Sequence, residues 1–147
     1  MPGAAQPTPH ILLVEDNTDD IYFLETFFAE RETPNHLHVV RDGLEAWNFL
    51  CREPPHDKAP RPSLILLDLK LPKLSGLELL KRIKEDKTLR SIPVVVLATS
   101  GTDEDALASY DLHATSFITK PKTIDEFTEV MERIERFWLH LVKLPPG

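Results

Sequence analysis

Five short apolar runs punctuate the chain, at residues 10–14, 36–40, 63–67, 92–97 and 116–119, and all but the fourth run into a charged residue. Short continuous apolar runs bounded by turn signals read as strands buried on both faces, as in a parallel sheet. Between them, apolar residues recur at helical spacing. Asn17 or Thr18 caps a first helix with an acidic first turn, Asp19 and Asp20, and inward Ile21, Leu24, Phe27 and Phe28. Thr33-Pro34-Asn35 stops it. A second helix opens at Asp42-Gly43 and carries Leu44, Trp47, Phe49 and Leu50; the Pro-rich, charged stretch 53–62 after it is an exposed loop. A third spans about 75–86 with Leu77, Leu80 and Ile83 inward. A fourth starts at Thr102 or Asp103 and ends near Leu112, and the last covers about 123–142.

Unbroken alternation of strand and helix predicts a parallel α/β domain. Right-handed crossovers place helices on both faces of the sheet. The common order for five strands is 2-1-3-4-5, with its switch point between strands one and three. Glu15-Asp16 close the first strand, Asp68 the third, and Lys120-Pro121 the fifth. All three then meet at the C-terminal edge of the sheet, where open α/β sheets place their chemistry.

The bulk numbers narrow the classes. A chain of 147 residues, 41% hydrophobic and 28% charged, fits one soluble domain with a single substantial core. A net charge of −7 without any Lys/Arg cluster argues against a nucleic-acid surface. Cys51, the single cysteine, excludes an intrachain disulfide and a cysteine zinc site, and reads as helix packing. Residues 1–8 form a flexible leader without the features of a signal peptide, 9–142 the domain, and 143–147 a tail. No run approaches the roughly 20 apolar residues of a membrane span, so a cytoplasmic location is expected.

Three carboxylates at one sheet edge repel one another unless something compensates them. A hard cation does so, and Mg²⁺ takes oxygen ligands while keeping several waters. Asp16 and Asp68 are the expected direct ligands, Glu15 a direct or water-mediated one, and the Lys70 backbone carbonyl a further one. The free oxygen of Asp68 is then a candidate nucleophile for an acyl phosphate, with Mg²⁺ and the Lys120 ammonium neutralising phosphoryl charge. Alone, each residue has a blander role, as a helix cap, a turn acid or a solvated lysine. The coincidence at strands one, three and five sets them apart. A phosphatase of the haloacid dehalogenase type needs a second acid where Lys70 stands. A nucleotide- or flavin-binding protein wants a Gly-rich loop where the acidic residues 15–20 lie.

Over residues 9–142 the chain resembles the receiver domain of two-component response regulators. The resemblance rests on Leu12-Leu13-Val14-Glu15-Asp16-Asn17, on Leu66-Leu67-Asp68-Leu69-Lys70-Leu71-Pro72 with Ser75-Gly76, and on Ile118-Thr119-Lys120-Pro121. It implies a flavodoxin-like (βα)5 fold and a phosphoacceptor protein rather than an enzyme. Asp68 would take phosphate from a kinase phosphohistidine, Mg²⁺ would sit among Glu15, Asp16, Asp68 and the Lys70 carbonyl, and Lys120 would contact the phosphoryl group. It further implies a cis bond at Lys120-Pro121. Ala59-Pro60-Arg61-Pro62, Tyr110-Asp111-Leu112 and Phe137-Trp138-Leu139 resemble the single-domain receivers of bacterial phytochrome kinases, which implies a bacteriophytochrome-type sensor histidine kinase as partner.

Two departures qualify the resemblance. Where receivers carry a switch Thr or Ser this chain has Ala98, so either Thr99 or Ser100 takes that role after a one-residue shift, or no side-chain hydroxyl does. Phe117 stands at the aromatic switch position without a tyrosine hydroxyl. Ala98 favours a pseudo-receiver that is never phosphorylated; intact Glu15, Asp16, Asp68 and Lys120 oppose it. Lys70, where related sequences often have Asn, stands at the mouth of the site and is expected to alter phosphate lifetime. Finally, the last helix carries more apolar surface than one sheet face requires. Ile124, Phe127, Met131, Ile134, Trp138 and Leu141 form one stripe, widened by Val130, Phe137 and Val142, whereas a core-facing helix needs an arc of about 100°. The surplus predicts a symmetric homodimer through Phe137, Trp138 and Leu141.

Overall fold

The computed structural model describes residues 8–98 and 116–143, with the backbone alone at Ser116 and from Trp138 onward. The strands are β1 (His10–Val14), β2 (His36–Val40), β3 (Leu64–Asp68), β4 (Val94–Ala98) and β5 (Ser116–Thr119). They form one parallel sheet, as the alternation predicted, in the order β2-β1-β3-β4-β5 expected as the common one for five strands. The helices among the described residues are α1 (Thr18–Ala29), α2 (Gly43–Cys51), α3 (Gly76–Glu85) and a C-terminal helix (Ile124–Lys143). The helix expected over 102–112 lies outside the described residues.

Alternate residues of the strands feed two cores. Leu12, Val14, Ile65, Leu67, Val94 and Val96 face α2 and α3, meeting Phe49, Leu50, Leu79, Leu80 and Ile83. Ile11, Leu13, Leu64, Leu66, Val95 and Leu97 face α1 and the C-terminal helix, meeting Leu24, Phe27, Phe28, Phe127 and Met131. Burial on both faces explains why these strands read as unbroken apolar runs.

Each helix start is capped by a side chain that takes an otherwise orphaned backbone N–H. Asn17 accepts from Asp20, Asp42 from Glu45, Ser75 from Glu78 and Thr123 from Glu126. Four expectations need correction. In α3 the inward stripe is Gly76, Leu79, Leu80 and Ile83, while Leu77 is half-buried; a stripe stepping 3, 4 and 7 residues begins on a glycine that carries no apolar signal. Cys51 is exposed, since it ends α2 and Arg52 turns the chain away in the left-handed region. Ile124, the first residue of its helix, lies outside the packed stripe and is 71% exposed. Lys120-Pro121 is not cis. The cis bond among the described residues is Pro54-Pro55.

Candidate functional site

Strand register brings the chemistry to one level. Val14 pairs with Leu67, Asp68 with Leu97, and Thr119 with Ala98. The residues after Val14 and Thr119 therefore leave the sheet beside Asp68. Glu15 is held by a bond from its N–H to the Val40 carbonyl, and Lys120 by one from its N–H to the Ala98 carbonyl.

Carboxylate oxygens of Glu15, Asp16 and Asp68 all lie within 4.8 Å of one another. Glu15 and Asp68 are buried, and Asp16 is exposed at the rim. The ammonium of Lys120, on a side chain only 7% exposed, donates to Glu15 Oε1 at 2.9 Å and to Asp20 Oδ2 at 2.8 Å, and stands 3.5 Å from Asp68 Oδ2. Burial first, then the neighbouring Asp68 carboxylate, pushes Glu15 up to about 8 against the pull of Lys120. Burial alone would lower the Lys120 ammonium; its bond to Asp20 and the charges of Glu15 and Asp68 reverse that, so it stays protonated.

One lysine does not balance four carboxylates. Glu15 Oε2 is buried without a hydrogen-bond partner, and a buried lone pair of this kind asks for a cation or a proton. The all-oxygen donor set suits a hard divalent ion with retained waters. The acids therefore fit the metal that the sequence led us to expect.

Asp20 escaped the sequence reading. It is the third residue after the cap Asn17, and its own N–H is held by that cap at 3.0 Å. Acids in a first helical turn ordinarily serve the helix dipole; this one reaches the lysine after β5 instead. Lys70 is exposed, and its N–H donates to Asp68 Oδ1 at 3.3 Å, which turns the loop backbone around that carboxylate. Phe117 is half-buried and lines an apolar groove with Val95, Ile118, Val130, Ile134 and Phe137. Phe137 is 52% exposed, in keeping with a surplus of apolar surface at that end of the helix. Thr99 and Ser100 lie outside the described residues, as do the side chains of Trp138 and Leu141.

Comparison with known proteins matches this arrangement. Residues 11–132 match the family described as Response regulator receiver domain. The chain is 41% identical to Response regulator Rcp1 of Synechocystis sp. over 145 residues, covering 99% of each chain. The crystal structure of the phosphorylated cyanobacterial phytochrome response regulator RcpA superposes with a TM-score of 0.86 at 45% identity, covering 95% of this chain and 99% of that one. The Mn²⁺-bound form of Rcp1 superposes with a TM-score of 0.85 at 41% identity, covering 94% and 99%. A bacteriophytochrome response regulator, AtBRR, superposes at 0.74 with 38% identity, covering 89% of this chain and 95% of that one.

Proposed function

The chain belongs to the response regulator receiver domain family, and from that premise we propose that it accepts a phosphoryl group on Asp68 from a sensor histidine kinase. The observation that carries this reading is the convergence of Glu15, Asp16, Asp68 and Lys120 from the ends of β1, β3 and β5. An oxygen of Asp68 attacks phosphorus; the new P–O bond forms as the P–N bond of the donor phosphohistidine breaks, and the imidazole leaves with the electron pair. Asp68 is fixed at the end of a fully buried strand, so its attack is directed rather than diffusive. Lys120 already stands beside it and neutralises phosphoryl charge as the group arrives.

Mg²⁺ is the cation we assign, with Asp16, Asp68 and the Lys70 carbonyl as direct ligands and Glu15 next to them; when bound it would neutralise the crowded oxygens. The likeness to Mn²⁺-bound Rcp1 supports a divalent ion. The likeness to RcpA, Rcp1 and AtBRR supports a phytochrome-type kinase as the donor. Residues 9–142 make the phosphoacceptor unit, and its output is protein–protein contact in the cytoplasm rather than enzymatic turnover. No helix among the described residues is long and apolar enough to cross a membrane. Thr99 supplies the switch hydroxyl that Ala98 lacks, Phe117 serves as the aromatic switch residue, and Phe137, Trp138 and Leu141 form a homodimer face.

Incubation with acetyl phosphate and Mg²⁺, followed by intact mass, tests the assignment. One added phosphate that vanishes in Asp68→Asn is the expected result. Wild-type protein that gains none from either acetyl phosphate or a phosphorylated kinase would leave the pseudo-receiver reading in its place.

A further inference from the structure

The loop of residues 69–75 carries the Lys70 carbonyl and follows directly on Asp68. Its inner limb is pinned by α3. The Gly76 N–H donates to the Leu69 carbonyl at 3.0 Å, and a Cβ at position 76 would sit 2.3 Å from the Asp68 carbonyl oxygen. Its outer limb is pinned by a different element, the first turn of α2. The Gly43 N–H donates to the Pro72 carbonyl at 3.4 Å, and a Cβ on Gly43 would lie 1.8 Å from the Leu74 carbonyl oxygen. Contact that close is open to glycine alone. Asp42 caps α2 with Oδ1 and pairs through Oδ2 with Lys73 Nζ at 3.6 Å. Lys73 itself has φ +67°, in the left-handed region that L side chains avoid.

We propose that Asp42, Gly43 and Lys73 are positioning residues that clamp the outer limb of this loop on α2, and so set the Lys70 carbonyl for the divalent cation. The inference rests on the receiver reading above. A carbonyl ligand sits on backbone, so its place is fixed by what holds the loop and not by its own side chain. Pro72 and Lys73 are exposed, and among the described residues the hydrogen bonds and ion pairs from this limb to another element all run to Asp42 and Gly43. Supporting groups of this kind typically govern metal affinity by about 10- to 100-fold.

The test titrates the full chain with Mn²⁺, counting free ion by EPR, and follows thermal unfolding in parallel. Gly43→Ala should weaken Mn²⁺ binding by about tenfold, because the loop must leave α2. Lys73→Gly separates positioning from stability. Glycine relieves the left-handed backbone, so the unfolding midpoint should hold or rise, while loss of the tie weakens Mn²⁺ by about two- to fivefold. Wild-type affinity in folded Gly43→Ala, or in Lys73→Gly, would overturn the clamp. So would a Lys73→Gly affinity loss that only tracks a lower unfolding midpoint. If Gly43→Ala does not fold, Lys73→Gly decides alone. Asp68→Asn is the control: if it binds Mn²⁺ as wild type does, the receiver reading itself has failed.

Discussion

The Lys120 ammonium carries three protons, and Asp20, Glu15 and Asp68 stand around it at 2.8, 2.9 and 3.5 Å. Asp20 thereby draws charge away from Asp68, leaving that carboxylate less neutralised by the lysine. Asp20→Asn removes one anion and lets the lysine turn further toward Asp68; both effects disfavour a cation. Affinity for Mg²⁺ should fall by roughly fivefold, on the scale of a partly exposed ion pair of about 1 kcal/mol, with little change in thermal stability. Equal affinities in calorimetric titration would show that Asp20 serves only the α1 dipole. The acids that end β1 and β3 were legible in the sequence because apolar runs stop at them. Asp20 was not, since the same residue in the same first turn serves just as well as a partner for the helix dipole.

Elements were legible where side chains carry signal and silent where they do not. The inward stripes of α2 and α3 start on Gly43 and Gly76, so counting apolar residues found Leu80 and Ile83 but took Leu77 in place of Leu79, and overlooked Ala46. Leu79→Ala should destabilise the fold by about 2–5 kcal/mol, while Leu77→Ala, on a half-buried residue, should cost well under half as much. Urea midpoints check this, and comparable losses would contradict the assigned face. At the other edge of the sheet, His10 Nδ1 lies 3.0 Å from His38 Nε2, and the His10 ring stacks on His36. Burial, followed by neighbouring imidazole charge, lowers His10 and His38 from 6.5. The unfolded chain then takes protons near pH 6.5 that the folded one refuses, so stability declines as pH drops below about 7. His10→Gln should make that decline shallower between pH 7.5 and 5.5. An unchanged slope would mean that the cluster titrates alike in both states.

At the scale of the whole molecule, the order 2-1-3-4-5 came from the strand count together with the order common to five-stranded parallel sheets, since the apolar pattern alone does not fix it. Convergence of the site followed from that order. The groove lined by Phe117, Val130, Ile134 and Phe137 did not, since it depends on how far one helix overhangs the sheet. If that apolar end is a homodimer face, light scattering at micromolar concentration gives twice the chain mass, and Phe137→Glu shifts it to the monomer with the fold intact. A wild-type monomer would remove the dimer.

The three inner strands have a consequence of their own. β1, β3 and β4 are flanked by paired neighbours and sealed beneath helices, and Leu12, Leu13, Leu66 and Val96 touch no solvent. Their amides should trade hydrogen for deuterium only when the entire chain opens, whereas those of the loop after Asp68 trade through small local excursions. The acidic rim thus stands on struts that open last, and any smaller excursion of the chain falls to the loops around them.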